Sequence, residues 1–456
     1  MMCPVTAPSR HVIPLREAVR AWFAISWQTF GGPAGQIAVM HRELVEERRW
    51  IGERRFLHAM SYCMLLPGPE AQQLAIYSGW LLNGWLGGVI AGGLFVLPGF
   101  LTILALSWVY VAHGDSTLVA GLLLGVAAAV LPIVVQAVLR LGRRAVRNRA
   151  LLLLALAAFV ALAVLAVPFP LVVLASGVVG WALGRRRPDL VQVSDHHDEA
   201  DDVEPPLIPD DALHSGHRSG RRTAALAVGG LLLWVAPVAV AFALADGGSS
   251  VFVDQGLFFG GMALVTFGGA YAVLSYVAQA AVEHYGWLTA QEMVRGLALA
   301  ETTPGPLIMV VQFVAFLGAF RDPSGLDPWA AAVLASLLVV WVTFVPGFLF
   351  IFVGAPYVER LRGNEPLTAA LTGVTAAVVG VIANLAFYFA VHTLFAEAER
   401  VGWDHLGLLV PVWSSFQWES AVLGALGALL VFGLRWPILR TLGVCGLAGL
   451  LLTIVT

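Results

Sequence analysis

Phe30-Gly31-Gly32, Trp50 and Pro67-Gly68-Pro69 recur as Phe267-Gly268-Gly269, Trp287 and Pro304-Gly305-Pro306. One constant offset of 237 residues aligns all three features. Chance rarely does that with residues as uncommon as tryptophan and a Pro-Gly-Pro triplet. The offset then steps to 248, which aligns Pro98-Gly99-Phe100 with Pro346-Gly347-Phe348 and Gly125-Val126 with Gly373-Val374. The eleven extra residues fall around Arg321-Asp322-Pro323-Ser324-Gly325, a polar, turn-rich stretch that reads as a lengthened loop. The chain is therefore duplicated. Duplication in an apolar chain marks many secondary transporters.

Charge decides where such a chain can live. Only 12% of its 456 residues are charged, against about 25% in soluble domains. Ala71 to Ala112, Gly256 to Val282 and Trp329 to Val358 hold no Asp, Glu, Lys or Arg. Each run exceeds the roughly 20 residues that span a bilayer as a helix. The reading is an all-α polytopic membrane protein, and a large soluble core is excluded. The cysteines, Cys3, Cys63 and Cys445, have no metal-site or disulfide spacing. Met1 to Leu15 lacks the apolar core of a signal peptide, so the first helix is expected to persist in the mature protein.

Residues 1–184 read as the first repeat and 246–456 as the second. Between them lie an acidic, proline-bearing linker, 185–222, expected to be disordered, and a linking helix, 223–245. His196-His197 and His214 to His217 could sense a metal, but a solvated tether is the simpler reading. Arg140 to Arg149 and Arg185-Arg186-Arg187 place their loops on the cytoplasmic side. Counting crossings gives about thirteen transmembrane helices. It also gives an odd number before the second repeat, hence inverted repeats. The count puts Arg42 to Arg55 outside, against the bias of its five arginines. If the first helix is re-entrant, the total falls and that loop moves inside.

Pro-Gly-Pro cannot sit inside a regular helix, so it predicts two half-helices meeting within the membrane. The break frees backbone N–H groups of Glu70, Ala71 and Gln72 in one repeat, and of Leu307, Ile308 and Met309 in the other. A helix start carries roughly half a positive charge and unpaired donors, a ready anion site. Gly31, Gly32, Pro67, Gly68, Pro69, Gly268, Gly269, Pro304, Gly305 and Pro306 shape the two breaks. Gln72, Gln73, Gln312, Thr302 and Thr303 are candidate further donors. Glu70 and Glu301 are acids within apolar segments, which need a functional or structural reason. Either could take up a proton as a carrier turns over, while Glu70 could equally cap its half-helix. Arg42 and Arg295 are candidate positive counter-charges, both near the interface.

The Phe-Gly-Gly-Pro stretch with its charged Glu-Arg-Trp follow-on, Leu66-Pro67-Gly68-Pro69-Glu70-Ala71-Gln72-Gln73-Leu74-Ala75, and Ala300-Glu301-Thr302-Thr303-Pro304-Gly305-Pro306 resemble the chromate ion transporter family in its long, fused form. The resemblance covers nearly all of the chain except the linker. It implies export of chromate across the bacterial inner membrane, driven by the proton-motive force. Sulfate, a dianion of nearly the same shape, is the alternative substrate, and a channel the alternative mechanism. No enzyme signature, cofactor or metal cluster is read in the apolar segments. Lipid, protons and a second copy of the chain are the candidate partners, and nucleic acid is not among them. Pro33 has no counterpart beside Gly269-Ala270, so the halves are expected to do unequal work.

Overall fold

Helix breakers set the element boundaries. The computed structural model describes residues 13–30, 32–187, 207–208, 220–245, 248, 250–267, 269–354, 365–403 and 406–455. Gly31, Gly268, the linker histidines and most of the linker lie outside them. In the first half, α1 (Leu15–Gln28) stops before the glycine pair, and α2 (Gly32–His41) runs on through a π turn, Arg42–Glu47. α3 (Glu53–Leu65) ends at Pro67-Gly68-Pro69, and α4 (Glu70–His113) follows. Asn83 and Gly84 leave helical geometry, which divides α4 into residues 70–82 and 85–113. α5 (Thr117–Ala145), α6 (Arg149–Ala163) and α7 (Phe169–Arg186) complete this half. Ser116 and Asn148 cap the first two, each accepting a bond from a backbone N–H. α8 (Gly220–Leu244) leads to the second half.

There, α9 (Val251–Val265), α10 (Ala270–Gln279) with its π turn Ala280–His284, and α11 (Ala290–Thr302) precede the second Pro-Gly-Pro. A 3-10 turn, Leu307–Met309, opens α12 (Val310–Arg321). α13 (Pro328–Gly354) and α14 (Glu365–Leu394) follow. An antiparallel hairpin of β1 (Ala398–Trp403) and β2 (Leu406–Pro411) comes next. α15 (Trp418–Ala428) and α16 (Ile438–Val455) close the chain. Six of the described helices are long and apolar enough to cross a membrane, and several shorter apolar helices accompany them. The chain is a multi-pass, mainly α-helical membrane protein.

Equivalent elements recur in order. Trp50 and Trp287 are both buried after a π turn, and their backbone N–H groups bond Leu44 and Ala281 at 2.8 and 2.9 Å. A third offset, 269, relates α6 and α7 to the final pair of helices, since Arg149 and Phe169 precede Trp418 and Ile438 by that distance. Most of this second step in offset is the β-hairpin and its flanks. The final pairs are exchanged between halves: α14 packs on α6 and α7, and α5 packs on α15 and α16. Glycines make these crossings close. A Cβ on Gly125 would lie 1.9 Å from the Cys445 carbonyl oxygen, and one on Gly180 would lie 2.8 Å from Gly373 Cα.

The half-helices fold back rather than continue. The Tyr62 and Tyr77 ring centroids are 5.9 Å apart, whereas fifteen residues of straight helix would separate them by about 22 Å. In the second half, a Cβ on Gly296 would lie 2.4 Å from the Phe313 ring. α3 and the first part of α4, and likewise α11 and α12, therefore form hairpins with Pro-Gly-Pro at the tip. Gln28 at the end of α1 reaches Arg42 at 2.7 Å and Glu43 at 3.3 Å, so α2 also turns back instead of prolonging α1. The two parts of α4 are antiparallel too: a Cβ on Gly79 would lie 2.4 Å from the Gly87 oxygen. In the second half the same turn is residues 322–327, the lengthened loop expected there.

Two contacts define opposite ends of the molecule. Ile208 of the linker pairs with the α2–α3 loop. Leu207 and Ile208 donate to the Arg49 and Trp50 carbonyls, and Gly52 donates back to Ile208, all at 3.0–3.1 Å. Ile208 is buried in the cluster of Leu44, Trp50, Ile51 and Phe56. The loop 42–52 thus lies at the linker end. At the other end, Gly407 of the β-hairpin donates to Val164 in the α6–α7 turn, and Arg400 bonds both oxygens of Glu283 at 2.7 and 2.8 Å. Leu207 and Ile208 are therefore docked on this loop. Ile208→Asp should cost about 2 kcal/mol of stability by burying an unpaired charge, while Leu207→Asp, at an exposed position, should cost little. Thermal unfolding of the two purified variants checks this.

Candidate functional site

The tips of the two Pro-Gly-Pro hairpins meet the other half reciprocally. The Gly68 N–H donates to the Thr266 carbonyl at 2.8 Å, and the Gly305 N–H donates to the Thr29 carbonyl at 2.9 Å. Donors and acceptors alike are related by the offset of 237. The tips need glycine, since φ is 114° at Gly68 and 96° at Gly305, a region costly to residues with a side chain. The second tip also lies against a glycine of the first half, and the start of α4 lies against a glycine of the second. A Cβ on Gly99 would come within 2.8 Å of the Pro304 oxygen, and one on Gly347 within 2.9 Å of Gln72 Oε1.

Between the tips is a small cavity lined by Pro33, Gln36, Gly68, Pro69, Glu70, Ala71, Thr266, Gly269, Ala270, Pro306, Leu307 and Ile308. Most of these residues come from four helix starts, those of α2, α4, α10 and the turn that opens α12, and Thr266 comes from the end of α9. No side chain caps the starts of α4, α10 or the α12 turn. Their first N–H groups have no partner one helical turn back. Four positive helix ends on one cavity, and no Arg, Lys or His among its lining residues, make a site built from backbone dipoles.

The cavity gathers Gly68, Pro69, Glu70, Gly269 and Pro306 from the expected residues. Pro67, Pro304 and Gly305 shape the tips, and Gly32 begins α2, but none of these lines it. The expected side-chain donors are directed elsewhere. Gln73 Nε2 bonds the Pro67 carbonyl at 2.6 Å and so braces its own tip. Gln72 and Gln312 donate to the Phe344 and Phe100 carbonyls of the facing half at 3.4 and 3.1 Å. The Thr302 and Thr303 hydroxyls bond Leu299 and Ala300 within α11.

Glu301 is buried and accepts from the hydroxyl of Tyr271, the residue after the lining Ala270. Arg42 is an exposed residue paired with Glu47 at 3.3 Å, and Arg295 donates to the Tyr110 hydroxyl at 3.4 Å. Neither arginine lines the cavity, so neither is a counter-charge within it. Sequence reasoning missed Gln36, which is buried and donates to the Gly305 carbonyl at 2.5 Å, tying α2 to the opposite tip. Its counterpart in the second half is Val273. Only the fold brings Gln36 to the site. Among the described residues no cluster of His, Cys, Asp or Glu could hold a metal ion.

The fold defines a polytopic, mainly α-helical membrane protein whose two halves meet at the tips of their broken helices, around this cavity. Residues 16–181 and 253–450 each match the chromate transporter family, and the chain belongs to that family. It is 33% identical over 387 residues to a chromate transport protein of Pseudomonas aeruginosa, covering 83% of this chain and 80% of that protein. A chromate transport protein of Cupriavidus metallidurans is 30% identical over 389 residues, covering 84% and 85%. No solved structure matches this chain.

Proposed function

We propose that the chain is a secondary active transporter that exports chromate across a bacterial inner membrane, driven by the proton-motive force, and so confers resistance. The observation that carries this reading is the convergence of four helix starts on one cavity without a cationic side chain. Backbone donors suit a tetrahedral dianion that must bind and then leave. The chromate transport proteins of similar sequence supply the substrate. Sulfate is the competing substrate on shape alone.

The proposed topology is inverted, with residues 1–184 and 246–456 as the repeats. The π turn Arg42–Glu47 sits at the linker end, whereas its counterpart Ala280–His284 sits with the β-hairpin at the other end. Four re-entrant hairpins (α1–α2, α3–α4, α9–α10, α11–α12) then replace four of the thirteen expected crossings. Nine full crossings remain: residues 85–113 of α4, then α5, α6, α7, α8, α13, α14, α15 and α16. This arrangement places Arg42 to Arg55, Arg140 to Arg149, Arg185 to Arg187 and Arg435 to Arg440 on one side, in keeping with the positive-inside bias. It replaces the count of thirteen.

Labelled chromate in everted vesicles, with and without a proton gradient and with excess sulfate, tests the reading. Gradient-dependent accumulation is the expected result. Uptake only in right-side-out vesicles would reverse the direction, and unsaturable flux would make the protein a channel. Glu301→Gln should lower transport about tenfold, the effect of losing roughly 1.4 kcal/mol at the Tyr271 contact, while the protein stays folded in the membrane. Initial rates in the same vesicles measure it, and full activity would remove Glu301 from the mechanism.

A further inference from the structure

We infer that Glu70 takes up a proton each time the cavity binds a dianion. This rests on the anion-site reading above. Glu70 is the sole ionisable side chain among the residues that line the cavity. It is half-buried at the start of α4, whose first N–H groups face the same space. The ionised carboxylate is therefore a resident anion, competing with any incoming oxyanion for the same helix-end donors. No lining cation offsets the repulsion between them. Protonation removes the competitor and converts an acceptor into an O–H donor for the oxyanion.

The groups around Glu70 leave this role to it. From α3 the neighbour is the Cys63 thiol, which is buried. From α2 come Pro33 and the neutral Gln36, and from the end of α9 and the start of α10 come Thr266, Gly269 and Ala270. From the second tip and the turn that opens α12 come Pro306, Leu307 and Ile308. Next outward stands the Tyr271–Glu301 pair, with Arg140 acting on Tyr271. Glu301 already has a hydroxyl donor and does not line the cavity. The duplication also sets the number of protons. The residue equivalent to Glu70 in the second half is Leu307, so two equivalent helix starts share one acid.

The test is isothermal titration calorimetry of the purified full-length protein at alkaline pH, in two buffers of different ionisation enthalpy. Sulfate and chromate are the probes, since both are dianions under those conditions. Wild type should take up about one proton per dianion bound, and its affinity should fall about tenfold per pH unit on the alkaline limb. Glu70→Gln should bind more tightly, with no proton uptake and an affinity flat in pH. Glu301→Gln should keep the uptake. Binding by wild type without proton uptake, or uptake by Glu70→Gln equal to that of wild type, would overturn the inference and leave the anion site standing. No binding of either dianion by wild type and by Glu70→Gln alike would overturn the anion site as well.

Discussion

Replacing Pro67-Gly68-Pro69 with three alanines is expected to reduce chromate transport to background while the protein still reaches the membrane. The triplet does three separable things. The prolines keep α3 from running on into α4, because neither can occupy a helix interior without clash and a lost hydrogen bond. Gly68 turns the chain with φ at 114° and donates its N–H to Thr266 of the other half. The break leaves the first N–H groups of α4 facing the cavity. Alanines favour continuous helix. A continuous helix would use those donors internally and would pull the tip from Thr266. Gly68→Ala alone should give a partial loss, since a left-handed alanine costs about 1 kcal/mol or more and its Cβ would lie 3.0 Å from Gln73 Nε2. Initial rates of chromate accumulation, normalised to protein in the vesicles, measure both. Wild-type flux from the triple variant would mean that the helix starts do not hold the anion.

Much of this site was legible because the residues that build it are rare. Pro-Gly-Pro occurring twice at a fixed spacing located both tips before any contact was known. The fold-back was not legible, because hydropathy reads a re-entrant hairpin and a kinked span alike. Asn83-Gly84 shows why. It reverses the chain inside a run of forty-two residues without a charge, so nothing polar announces the turn. The exchange of the final helix pairs left a trace in Pro168, Gly177 and Gly180, which match Pro437, Gly446 and Gly449 at an offset of 269. The β-hairpin inserted between α14 and α15 hid that third offset. The amide side chains misled for a different reason. Gln72, Gln73 and Gln312 stand beside the breaks, but buried amides must find partners: Gln73 takes the Pro67 carbonyl of its own tip, and Gln72 and Gln312 take the Phe344 and Phe100 carbonyls of facing helices. What is left to face the cavity is backbone, Glu70 and Gln36 of α2, a lone amide that no motif marks.

Gly380→Leu should be among the most destabilising single changes in the protein, although Gly380 is far in sequence from either tip. Membrane helices gain little from hiding apolar surface from one another, so close approach and van der Waals contact hold them together. Gly380 is where α14 meets α6. A Cβ there would sit 1.9 Å from the Ala155 oxygen, 2.9 Å from its carbonyl carbon and 2.9 Å from Phe159 N. All three are backbone atoms, so no side chain can rotate away. The helices must part along the whole crossing, at a cost of about 3 kcal/mol or more. Gly443→Leu on α16 is the matched control, because nothing lies within 4 Å of a Cβ at that position. In detergent, Gly380→Leu should lose its monodisperse size-exclusion peak well below the temperature at which wild type and Gly443→Leu do. The effect should reach transport as well, because α6 and α14 come from different halves and their crossing helps fix the two tips against each other. Gly380→Leu behaving like the control would mean that the halves do not exchange their final helix pairs.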